Sequence, residues 1–171
     1  MRDVVRVLPG AEQVDGVPCA IVDDRVWHDG RLAERTTDWY TQDAHGTVWY
    51  YGERTAELDR RGHVTSREGS WRAGVAGARG GVFMPAHPRV GAAFTQEDAA
   101  GAKDRFSIVD LRASVSVPFG TWRGTAMRTR ETSPLEPGVV DAKWYVAGIG
   151  PVREATLRGP AERAALVAFH R

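Results

Sequence analysis

The residues best suited to hold or transform a ligand gather in the run Asp38-Trp39-Tyr40-Thr41-Gln42-Asp43 and in Gly46-Thr47-Val48-Trp49-Tyr50-Tyr51-Gly52-Glu53. Trp and Tyr offer large, stiff contact area, and their N–H and O–H groups can orient a bound molecule. Aromatic walls carrying a few fixed polar groups are what small-molecule pockets usually present. The expected wall is Trp39, Trp49, Tyr51 and Trp71, with Gln42, Glu53 or Gln96 as orienting groups and Met84 at the rim. The competing reading is a filled sheet core, in which cross-strand aromatic pairs each contribute about 0.2–1 kcal/mol.

Other chemistry is weaker. Strand alternation puts Lys143 and Tyr145 on one face. A buried lysine there is catalytic material, whereas a stem lying on an aromatic surface is the plainer outcome. Asp23, Asp24, Asp43, Glu53, Glu97, Asp110, Glu131 and Asp141 are candidate acids, but acid–base work needs groups within hydrogen-bond reach of a substrate. The histidines at 28, 45, 63, 87 and 170 form no HxH or HExxH pattern, and one cysteine, Cys19, excludes a Cys-based zinc site and an intrachain disulfide. Gly69-Ser70-Trp71 is no nucleophile elbow. Gly74-Val75-Ala76-Gly77 lacks the context of a dinucleotide fingerprint. No catalytic residue is assigned, and no metal or cofactor is expected.

The elements that must position these residues follow a period of two. Short runs rich in Val, Trp, Tyr and Thr are punctuated by Asp15-Gly16, Asp29-Gly30, His45-Gly46 and Arg61-Gly62. That pattern predicts an antiparallel meander, with strands near 3–8, 17–28, 31–42, 47–53, 63–71, 81–84, 93–97, 105–117, 122–131, 139–147, 150–157 and 163–169. The Gly-rich stretch at about 72–91 reads as a long irregular loop, a lid candidate. Glu97–Asp104 suits a short helix or loop. For the hairpin 36–53, a three-residue loop Ala44-His45-Gly46 fits best. It sets Trp39, Thr41 and Asp43 on one face with Trp49, Tyr51 and Glu53, and Tyr40 and Gln42 on the other with Val48 and Tyr50. The fold class expected is all-β with little helix: an antiparallel meander forming a curved half-barrel or a lipocalin-like barrel, in one domain over 1–171.

Composition narrows the partners. Lys+Arg number 23 against 22 Asp+Glu, with the signs interspersed, which disfavours a nucleic-acid partner. No apolar run approaches the roughly 18 residues of a membrane span. Met1-Arg2-Asp3-Val4-Val5 lacks the apolar segment of a signal peptide, so the chain as written reads as cytoplasmic.

Several blocks together resemble a family of mostly uncharacterised bacterial proteins, commonly actinobacterial and often exported or lipid-anchored. They are the two aromatic runs above, Gly69-Ser70-Trp71-Arg72-Ala73-Gly74, Met84-Pro85 with Pro88 and Gly91, Gln96-Glu97, Thr132–Val140, and Lys143-Trp144-Tyr145-Val146-Ala147-Gly148-Ile149-Gly150-Pro151-Val152. The last block is also similar to the penultimate hairpin of periplasmic lipoprotein-carrier-like sheets. The resemblance implies a β-rich binding fold, and export if this chain is a trimmed or mis-started member. Relatives usually carry one more strand before the equivalent of Val4-Val5-Arg6-Val7, whose absence leaves an exposed edge and makes a homodimer through that edge an expectation. The expected function is a binding module holding an apolar or amphipathic small molecule on a concave aromatic face. The alternatives are a β-barrel cyclase or isomerase of secondary metabolism working by substrate positioning, and a protein-interaction domain using the open edge.

Overall fold

The structure, a computed structural model, describes residues 1–100 and 103–170. Among these the chain forms strands β1 (Arg2–Val14), β2 (Val17–His28), β3 (Arg31–Gln42), β4 (Val48–Leu58), β5 (Val64–Ser66), β6 (Trp71–Arg72) and β7 (Arg79–Met84). They continue with β8 (Ala93–Thr95), β9 (Glu97–Asp98), β10 (Arg105–Val117), β11 (Gly120–Thr132), β12 (Val140–Val146), β13 (Gly150–Arg158) and β14 (Arg163–Ala165). No helix occurs among the described residues. Contacts divide the strands into a first unit, Met1–Ala86 with Gln96–Lys103, and a second, His87–Thr95 with Asp104–Arg171.

The first unit is a meander in the order β1-β2-β3-β4-β7-β9, with β5 and β6 also pairing with β4. Its tight turns follow from residue chemistry. Asp15-Gly16 adopts φ of 51° and 75°, and Asp29-Gly30 adopts 51° and 78°. Positive φ at both positions is what a two-residue hairpin turn matched to strand twist requires. The next turn is anchored differently. Asp43 N donates to Thr47 O at 3.0 Å, while the Asp43 carboxylate accepts from the N–H groups of His45 and Thr47. The loop is thus Ala44-His45-Gly46, with Gly46 at φ 93°. Asp59-Arg60-Arg61-Gly62-His63 repeats the device: its carboxylate accepts from Arg61 N at 2.8 Å and His63 N at 2.9 Å.

In the second unit the order is β14-β13-β12-β11-β10-β8. The long β10–β11 ribbon carries register shifts at three places between Ile108 and Val115, and such bulges bend a strand and increase its twist. Ala113, Val115, Ala126, Val146 and Val152 form its buried cluster. In both units the sheet ends in two edge strands. Of the two architectures expected, the open curved meander is formed, not a closed lipocalin-like barrel.

The Gly-rich stretch is less irregular than its composition suggests. It contains β7, which continues the sheet beside β4 through Val48↔Met84 and Trp49↔Val82. The strand expected over 63–71 is divided between β5 and β6, and β9 falls where a helix or loop was the expectation. Residues 101 and 102 of that segment lie outside the described residues.

Candidate functional site

The β3–β4 hairpin positions most of the expected wall. Pairing runs Gln42↔Val48, Thr41↔Trp49 and Tyr40↔Tyr50, then steps to Trp39↔Gly52, leaving Tyr51 as an extra residue. Gly52 makes the bulge possible. It sits at φ 138°, and a Cβ there would lie 2.5 Å from the Trp71 carbonyl oxygen on β6. The bulge corrects the face assignment, because a one-residue slip moves every later side chain to the opposite face. Glu53, expected beside Trp49 and Tyr51, instead stands with Tyr50 and opposite Asp38.

The resulting centre is built on the Tyr50 hydroxyl, 2.6 Å from Asp38 Oδ1 and 2.9 Å from Glu53 Oε2. One phenolic hydrogen serves both carboxyls only if one of them is itself protonated and donates. Burial accordingly pushes Asp38 up to about 6, against the hydrogen bond from Tyr50, with Glu34 and Asp3 adding repulsion. Two residues up the neighbouring strand register, Asp24 is raised to about 8, first by burial and then by Asp3. Its Oδ1 is buried without a hydrogen-bond partner. Between the two acids, the Thr36 and Thr55 hydroxyls bond each other at 3.0 Å.

Rings surround this row. Tyr40 stacks on Tyr50 with centroids 4.7 Å apart, Phe83 meets Tyr40 edge-on at 4.9 Å, and Trp71 meets Tyr50 edge-on at 5.4 Å. Tyr50 and Trp71 are buried, whereas Tyr40, Glu53 and Phe83 are half-buried. The Trp71 indole N–H is enclosed without a hydrogen-bond partner.

The other expected residues of the first unit are held elsewhere. Trp39 is buried: its indole N–H donates to Glu12 Oε2 at 2.9 Å, and the Arg72 guanidinium lies 4.6 Å above its ring. Arg72 also donates to Glu12 Oε1 at 2.7 Å, and this bond, with the one from the Trp39 indole N–H, holds the Glu12 carboxyl below the usual range. Cys19 lies fully buried in the same cluster. Trp49, half-buried, donates to Asp43 Oδ2 at 2.9 Å. Gln42 is exposed and donates to Gly46 O at 3.1 Å. The Tyr51 ring packs on Gly80, where a Cβ would approach it to 2.7 Å. Met84 ends β7, and Gln96 is half-buried just before β9.

Lys143 and Tyr145 belong to the second unit and do share a face. Glu131 Oε2 is 3.0 Å from Lys143 Nζ, while its Oε1 accepts from Thr129 Oγ1 at 2.7 Å and from the Tyr145 hydroxyl at 3.2 Å. Glu154 lies 3.8 Å from the same ammonium. Burial opposes the charge on Lys143, but Glu131, Tyr145 and Glu154 together outweigh it and hold the ammonium protonated. Such a lysine is an ion-pair partner rather than a nucleophile.

From sequence, Asp24 is one candidate acid among eight, and Asp38 and Tyr50 stand within the aromatic runs without an assigned role. A signal for them exists: Thr36, Asp38 and Tyr40 alternate on one face of β3. Its meaning depends on the β4 bulge, which only Gly52 hints at. Among the described residues no group of three His, Cys, Asp or Glu could hold a metal ion, and no helix is long and apolar enough to cross a membrane.

The fold and this centre define an antiparallel β protein whose first unit presents a carboxyl-lined aromatic surface. No protein-family model, curated protein or solved structure matches the chain.

Proposed function

We propose that the chain is a non-catalytic binding module that seats an apolar or amphipathic small molecule on the aromatic surface of its first unit. The observation that supports this reading is the half-buried Tyr40–Phe83 pair packed on the ring of Tyr50, whose hydroxyl bonds Asp38 and Glu53. Stacked and edge-on rings of this kind give a ligand a rigid apolar floor at low entropic cost. The resemblance to exported and lipid-anchored β-rich proteins points the same way.

Native mass spectrometry of the protein, purified without refolding, tests it. The expected result is a retained apolar mass that disappears in Tyr40→Ala and Phe83→Ala. A clean apo mass, unshifted by a panel of lipids and metabolites, would mean that the rings serve only as core.

A second reading, association of two copies through β1, has its own support. This edge strand is 13 residues long and exposes Val5 to 59% and Val7 to 75%. Unpaired backbone groups along such a strand are a template for another strand.

A further inference from the structure

At the far end of the first unit's sheet, β3 and β4 part company. Their last pair is Glu34↔Glu57, yet β3 begins at Arg31 and β4 runs to Leu58. Between the splayed ends lies an open cleft of about 410 Å³, lined by Arg31, Leu32, Arg35, Leu58, Asp59, Arg60 and Gly62. That volume falls within the roughly 300–1,000 Å³ of small-molecule sites.

Its chemistry is specific. Three guanidiniums line the cleft, and among the described residues none of them is paired with a carboxylate. The one acid present, Asp59, is already engaged: its Oδ1 accepts from the N–H groups of Arg61 and His63, and its Oδ2 faces the His63 ring at 3.4 Å. These bonds hold its carboxyl below the usual range and tie it to the turn, so it stays a single negative charge among three arginines that it does not pair with. Two half-buried leucines, Leu32 and Leu58, add apolar surface to the same lining. Guanidinium forks match the oxygens of a carboxylate or phosphate, and leucine side chains match hydrocarbon.

We propose that this cleft is a second site, for an anionic amphiphile, in which an oxyanion is held by Arg31, Arg35 and Arg60 and the first methylenes of its chain lie on Leu32 and Leu58. It is separate from the Tyr40–Phe83 surface and does not depend on it.

The test is calorimetric titration with dodecyl phosphate below its micelle concentration, beside inorganic phosphate and vesicles of phosphatidylglycerol or phosphatidylcholine. The expected result is saturable one-to-one binding of dodecyl phosphate that weakens about tenfold in each of Arg35→Gln and Arg60→Gln, the loss of a charge-assisted pair. Binding should also weaken with added salt and remain unchanged in Tyr40→Ala. Inorganic phosphate should bind at least about tenfold more weakly, because it lacks the apolar contact. The arginines are exposed, so both variants are expected to fold, and circular dichroism checks this. Absence of saturable binding, or binding indifferent to both substitutions, overturns the proposal. So does inorganic phosphate binding as tightly as dodecyl phosphate, which would leave a bare anion seat. Binding only to phosphatidylglycerol vesicles overturns it in favour of a membrane surface.

Discussion

Asp24 and Asp38 are acids that the fold prefers to keep protonated, and that preference sets the sign of a pH effect. Their folded-state values, about 8 and about 6, lie above the ordinary aspartate value, with burial as the leading cause in both. Between about pH 4 and pH 8 the folded chain therefore binds more protons than the unfolded one, and stability falls as pH rises through that window. Asp24→Asn should raise the melting temperature at pH 8, with the gain vanishing below about pH 4. A series of thermal melts across that range reads this directly. In the second unit the logic is reversed. Glu131 holds Lys143, Tyr145 and Thr129 at once, and the Lys143 side chain is only 27% exposed. Glu131→Ala leaves a mostly buried ammonium with only Glu154, at 3.8 Å, as its carboxylate partner among the described residues, and urea unfolding should show a loss of about 3 kcal/mol, the low end for a broken buried pair because solvent and Glu154 still reach the lysine. Little of this was legible in the residues alone. Lys143 and Tyr145 sharing a face follows from alternation, but their partners come from β11 and β13, which no spacing within one strand reveals.

Elements were far more legible than partners. Strands at 17–28, 31–42 and 105–117 have the expected bounds, and at Asp15-Gly16 and Asp29-Gly30 the reason is that Asp-Gly at positive φ is a local signal that needs no tertiary context. The first strand shows the opposite case. Pro9-Gly10 reads as a terminator, yet β1 runs on to Val14 with the register merely shifting between Leu8 and Ala11. An edge strand can lose one hydrogen bond outward, so proline is tolerated there. The β4 bulge was missed for a related reason: Gly52 is a lone glycine whose necessity lies in the Trp71 carbonyl beside it. Gly52→Ala should therefore cost about 3 kcal/mol from positive-φ strain and overlap combined, measured by urea unfolding. On β1, a two-fold pairing centred on Val5 sets Asp3 against Val7 and Val4 against Arg6, so no like charges meet. If two copies associate this way, Val7→Asp should return the protein to monomer in sedimentation or size-exclusion experiments, by setting a second carboxylate directly opposite Asp3 of the other copy.

The whole chain is organised as two open meanders, and the division is not a cut in sequence. His87–Thr95 belongs to the second unit, and Gln96–Lys103 then returns to the first. Composition and length gave no sign of this, since both units share the same alternating pattern and the exchanged pieces are strands of two or three residues. The pairings make it plain: β8 joins β10, and β9 joins β7. This crossing has a consequence for the order of assembly on the ribosome. When Ala86 has been made, the first sheet still lacks β9. By the time β9 arrives, β8 has already been made and must wait for Arg105–Ser107, its partners. At about 5–20 residues per second these delays last on the order of a second. A pause near the codons for 87–103 would therefore leave the first sheet without its β9 edge and β8 without any partner strand on the nascent chain.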